Sequence, residues 1–113
     1  MLGVSTSNRE KWKEAKSVLR KITEHLSSLP VSEIAQWPEW PQVPMLKLEI
    51  PEEYKSIKFT PMKDTLANGT IRVAVQMYKH HFLGIGSMSA DGFYIEPNGS
   101  IRWFKEEDTW EVT

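Results

Sequence analysis

The 113 residues predict an α+β fold on three observations. A stretch near the start, free of Pro and Gly, carries apolar residues at helical spacing. From residue 46 onward apolar and polar residues mostly alternate, punctuated by Asn-Gly, Asp-Gly and Pro-Asn-Gly turn signals. Between these halves lies AQWPEWPQVP, residues 35–44, whose prolines exclude regular helix. The chain length suits a single domain, 1–113, able to bury one modest core.

The helix is expected over residues 7–29. Ser7 and Glu10 have the spacing of a capping box, and Pro30 provides the stop. Trp12, Ala15, Leu19, Ile22, Leu26 and Leu29 recur at intervals of three and four, so they form one stripe that needs covering.

Next, VSEIAQ leads into an extended segment over 35–45 that reads in triplets. Polyproline II has three residues per turn, so Trp37, Trp40 and Val43 share one edge and the prolines another. Nine residues at about 3.1 Å each span roughly 28 Å, close to the roughly 33 Å of the helix at about 1.5 Å per residue. The economical expectation is a rod that runs back over the apolar surface and closes the core. Pro38 and Pro41 also satisfy a bare PxxP spacing, without the flanking cation of a standard docking ligand.

Residues 46–113 are expected to be mainly β and mostly antiparallel. Leu46, Leu48 and Ile50 alternate with Lys47 and Glu49, and Ile57 and Phe59 flank Lys58, predicting two short strands around PEEYKS. Turns are expected at Asn68-Gly69 and Asp91-Gly92, and Pro97-Asn98-Gly99 should join FYIE to SIRWF in a hairpin. A last strand, TWEV, is expected after the acidic turn KEED. Residues 70–83 fit both templates: Ile71, Val73, Val75 and Met77 alternate, while Val73, Ala74, Met77, Tyr78, His81 and Phe82 fit a helical face. A Thr70 cap and a Gly84 end tilt that segment toward a possible second helix.

Composition narrows function. A net charge of −1 with 26% charged residues gives no general polyanion-binding character, and no Cys means no thiol nucleophile, disulfide or thiolate metal site. No apolar run approaches the roughly 20 residues of a membrane span, and MLGVSTS is not a signal peptide, so a soluble, cytoplasmic protein is expected. Adjacent His80 and His81 point to different sides of any regular element, which removes the spacing of a chelating pair; neither metal nor cofactor is expected. GIGSMSADG lacks the remaining residues of a phosphate loop or nucleophile elbow and reads as strand with small residues under a close neighbour. An enzyme using His80 or His81 with Asp91 is the least supported reading.

The binding candidates lie elsewhere. Arg9, Lys13, Lys16 and Arg20 recur at spacings of four, three and four, forming a basic ridge beside Trp12 within a segment, residues 1–30, that holds six Lys or Arg against three Glu. Such a ridge is most often a solvated helix face; as a site it suits an acidic protein surface, or phosphates with Trp12 stacking on a base. Trp37 and Trp40 join the candidates if the rod is a ligand. The expectation is a small non-enzymatic interaction protein, an adaptor, inhibitor or accessory subunit that binds a protein partner, with nucleic-acid binding through the ridge as the alternative.

Overall fold

The computed structural model describes residues 2–39, 50–80 and 86–109, with side chains in the first helix from Trp12 onward. It shows an N-terminal helix, a four-stranded antiparallel sheet in the order β1-β2-β3-β4, and a short C-terminal helix, an α+β fold. Helix α1 runs Leu2–Ser27, starting before the expected cap, so Ser7 and Glu10 sit inside it. Without Pro, extending a formed helix costs little per residue. At its other end the chain tightens: Ser28 N donates to His25 O at 3.0 Å and Leu29 N to Leu26 O at 3.2 Å, while the Ser27 and Ser28 hydroxyls donate to Glu24 O and His25 O.

Pro30 ends one helix and begins another. Its φ of −58° and ψ of 137° place it just before α2, Val31–Ala35, and its carbonyl accepts from Glu33 N and Ile34 N. VSEIA is therefore helical, with Gln36 as its C-cap, where a plain lead-in was expected, and it buries Ile34. Trp37 follows at 8% exposure, within the core, as the rod expectation requires of that residue. Trp40, Val43 and the residues 46–49 of the expected strand lie outside the described residues. Ile50 packs against the core but belongs to no strand, and Glu52–Tyr54 forms a 3-10 turn.

The sheet comprises β1 (Lys58–Thr65), β2 (Ile71–His80), β3 (Gly86–Ile95) and β4 (Ile101–Trp103). Residues 71–80 are strand, not helix, which corrects the expectation. β2 is central, and Val73, Val75 and Met77 are buried on the face toward α1 while Ala74 is buried on the opposite one beside Met62, Ala90 and Phe104. Burial on both faces produced the apparent helical stripe. The stripe of α1, Ala15, Leu19, Ile22 and Leu26, meets Val73, Val75, Met77, Phe93 and Ile95 in one apolar cluster; each fully buried large side chain there contributes about 1.5–3 kcal/mol.

Two hairpins share one turn chemistry. Leu66 N donates to Thr70 O and Glu96 N to Ser100 O, both at 2.8 Å, and Asn68 and Asn98 each accept a backbone N–H two residues on at 3.0 Å. Gly69 and Gly99 take φ of 89° and 88° to close them. Asp91-Gly92, by contrast, is no turn: it lies inside β3, with Asp91 opposite Val75 and Gly92 opposite Ala74. Glycine is needed there because a Cβ would meet Val73 O and come within 2.9 Å of the Phe104 ring. The expected KEED turn is helix α3, Glu106–Thr109, docked on β3, and Trp110 and the rest of the expected TWEV strand lie outside the described residues.

Candidate interaction surface

The basic ridge divides in two. Arg20 is engaged within the fold: Nη1 donates to Asp91 Oδ1 and Oδ2 at 3.2 and 3.0 Å, its guanidinium lies 4.0 Å above the Trp103 ring, and Glu24 Oε1 is 3.7 Å from Nε. Lys13 and Lys16 are exposed, with no ion-pair partner among the described residues. Arg9 lies in α1 without a described side chain, and Trp12 is half-buried against the core cluster. Trp37 is core, and Trp40 is outside the described residues.

Asp91 ties helix to sheet. Besides Arg20 it accepts from the buried Thr23 hydroxyl at 3.0 Å and from Gly92 N at 2.9 Å, so both oxygens are occupied. His80 pairs with Gly86, five positions along β2 from Val75, the residue opposite Asp91, so the two are far apart in the register. His81 is outside the described residues.

Other charged groups are likewise structural. Lys63, 4% exposed, points from β1 toward the helices; its ammonium donates to Trp37 O at 3.1 Å and Ala35 O at 3.3 Å and meets Glu39 Oε2 at 2.9 Å. The hydrogen bond from Lys63 holds the Glu39 carboxyl below its usual pKa, partly opposed by desolvation. On the opposite sheet face Arg72 grips Asp64 through Nε at 2.9 Å and Nη2 at 2.6 Å. Asp108 accepts from Lys105 N at 2.8 Å and from the Tyr94 hydroxyl at 3.0 Å, and these bonds hold its carboxyl low. Burial, then the hydrogen bond to Glu14 at 3.1 Å, pushes the Tyr54 phenol up. Among the described residues no group of three or more His, Asp or Glu converges to hold a metal, and no helix is long and apolar enough to cross a membrane.

What the sequence reading missed is a sheet edge. β4 pairs only with Phe93–Ile95, and Phe104 N adds a bond to Gly92 O at 3.0 Å. Because Glu96 N and Gly92 O both bond toward β4, alternation turns the backbone N–H and C=O of Ala90, Met88 and Gly86 to the same outer side. No described strand pairs with them there. Between Gly86 and Ala90 the edge carries neither Pro nor a charge, and Met88 is 48% exposed. The opposite edge is guarded. Thr65 N turns outward to Glu39 Oε1 at 3.0 Å, so the backbone at the alternate positions Lys63 and Pro61 also turns outward, and Pro61 has no N–H to offer. The signal available in sequence was the alternation over 71–77; reading it as strand would have extended GSMSADG as its partner.

Compared with models of protein families, with curated proteins and with solved structures, the chain matches none, so its function is argued from its own geometry.

Proposed function

We propose that the protein is a non-enzymatic interaction module that binds a protein partner by adding the partner's extended segment to the outer edge of β3 between Gly86 and Asp91. The observation that carries the reading is the contrast between the two edges: β1 has Pro61 and an occupied Thr65 N–H among its outward positions, whereas β3 exposes Gly86 and Met88, with Ala90 at 8% exposure beside Phe104, and carries no Pro or charge from Gly86 to Ala90 and no pairing strand among the described residues. An unguarded run of backbone donors and acceptors recognises another strand through main-chain bonds. Action by binding also fits the charged groups, since Asp91, Lys63, Asp64 and Arg72 are engaged in contacts that hold elements together.

Nucleic-acid binding through Arg9, Lys13, Lys16 and Arg20 has less to support it. Arg20 is engaged with Asp91 and Trp103, and Trp12 packs against the core instead of offering a face for stacking.

The test is affinity capture from the native host with the wild-type protein and with Met88→Pro, whose missing N–H falls on the outer side and leaves the β2 ladder intact. A partner held by the wild type and lost by a folded Met88→Pro variant supports edge binding. A partner held equally by both overturns it.

A further inference from the structure

Among the described residues, the outer edge of β3 at Gly86 and Met88, which no strand pairs, and Lys13 and Lys16, which have no ion-pair partner, lie side by side. In α1 Thr23 and Arg20 both reach Asp91, and Arg20 also stacks on Trp103 of β4, so this flank of the helix faces the β3 and β4 side of the sheet. Glu14 marks the other flank, because it meets Tyr54 just before β1. At about 100° per residue Lys16 falls between Thr23 and Arg20 around the helix, and Lys13 falls about 20° beyond Arg20. Both lysines therefore lie on the β3 flank.

Their level along the sheet follows from the two rises. Glu14 beside Tyr54 and Thr23 beside Asp91 show that α1 runs in the same sense as β3. Lys16 lies about 10 Å before Thr23 along the helix, which is about three strand residues before Asp91, at Met88. Lys13 lies about 15 Å before Thr23, near Gly86 and Ser87 on the same scale. By this helical placement Lys16 sits on the flank above the outer edge of β3, with Lys13 on the outer surface of the helix tipped toward the same side, while Ser87 and Ser89, the β3 residues on that face, supply no negative charge.

From this juxtaposition we infer that the β3 edge takes an extended segment of a partner protein with acidic residues at alternate positions, which meet Lys13 and Lys16 while its backbone pairs with Met88 and Ala90. The inference rests on the strand-addition reading above and adds the partner's chemistry. A second copy of this chain fits poorly. An antiparallel pairing of β3 with itself about a two-fold axis puts both helices on one face, and the lysine ridges then confront each other. A strand bearing Lys or Arg toward α1 meets the same repulsion.

The probe is a fluorescein-labelled peptide of alternating Val and Glu, compared with its Gln-for-Glu and Lys-for-Glu versions and with a form N-methylated on the bonding edge, each titrated by fluorescence polarisation against the full chain. The acidic peptide should bind, weaken with rising salt, lose about tenfold in affinity to a folded Lys13→Glu/Lys16→Glu variant, which is about one exposed ion pair per lysine, and lose binding on N-methylation. Amide signals of Met88 and Ala90 should shift on titration. If the Gln or Lys peptide binds as tightly, strand addition stands and the acidic preference is overturned. If the N-methylated peptide binds equally, or an oligothymidylate displaces the acidic one without shifts at Met88 and Ala90, the edge is not the site and both readings fall. No binding of any peptide at millimolar concentration overturns the inference. So does binding that appears only after the chain is cut following Thr109, since its own C-terminal residues then fill the edge, and so does a dimer in sedimentation that Met88→Pro dissociates.

Discussion

Replacing Lys63 by Met tests whether a buried ammonium or the groups around it set the stability of the α2 segment. Met fills nearly the same volume, so the cavity term is small. What changes is the bonding of three acceptors. Glu39 is half exposed and Ala35 lies on the surface, so water replaces the ammonium at both. The Trp37 carbonyl, bonded at 3.1 Å in a buried setting, has no such recourse, and an unsatisfied buried acceptor costs about 1–3 kcal/mol. Against this stands the relief of no longer burying a charge at 4% exposure. We expect the lost bonds to prevail, with a net destabilisation of about 2 kcal/mol, or roughly 8 °C in melting temperature for a chain of this size. Urea denaturation gives the free energy, and Trp37 emission in a single-tryptophan background should shift to the red as the segment loosens. A Lys63→Met protein as stable as the parent, or more so, with unshifted emission would refute the reasoning and show that desolvation of the amine outweighs its bonds.

Further outcomes follow from other contacts. Asp91→Ala removes one of the two acceptors of the buried Thr23 hydroxyl, leaving Arg20 O, and frees the Arg20 guanidinium, and should cost about 1–2 kcal/mol; in a double-mutant cycle with Arg20→Ala the two effects should be less than additive, and strict additivity would show that the pair does not couple. Gly92→Ala, whose Cβ meets Val73 O, should cost about 1–3 kcal/mol by overpacking, more than Gly99→Ala, which has open space and only a positive φ at about 1 kcal/mol; equal melting temperatures would contradict the close approach. The Glu39 and Asp108 carboxyls are held low in the folded state, so their contribution is present above the ordinary carboxylate range and is lost as pH falls through their depressed values. Acid titration of Asp108→Asn by circular dichroism should show a shallower loss than the parent. Tyr54 runs the other way: its raised value makes the neutral phenol part of the fold, present below its ordinary pKa and lost as pH climbs through the raised one, and Tyr54→Phe should flatten that alkaline limb.

The fold was legible where one signal dominated. The α1 stripe, the Asn-Gly and Asn98-Gly99 turns and the alternation after residue 57 each stated one period, and the structure uses them. Reading failed where burial on two faces erased the period. Val73, Ala74, Val75 and Met77 are all apolar because β2 is central, and that density imitates a helix. It also failed at Asp91-Gly92, where a turn dipeptide serves instead to let Val73 O approach and to anchor Arg20 and Thr23 across 71 and 68 residues. The ridge of Lys13 and Lys16 could be drawn from spacing alone. Its neighbour could not, because an open edge exists only relative to strands whose pairing depends on the whole sheet.

Pro61 bears on stoichiometry. A sheet with two receptive edges is divalent and propagates, each added strand exposing the next site, as in fibre growth. Here the β1 margin lacks a donor at Pro61 and has its Thr65 N–H taken by Glu39, so two of its outward positions offer no N–H, whereas the β3 margin carries no such guard among the described residues. On the strand-addition proposal such a molecule acts as a chain terminator: it takes one extended segment at β3, and growth through β1 is hindered at Pro61 and Thr65.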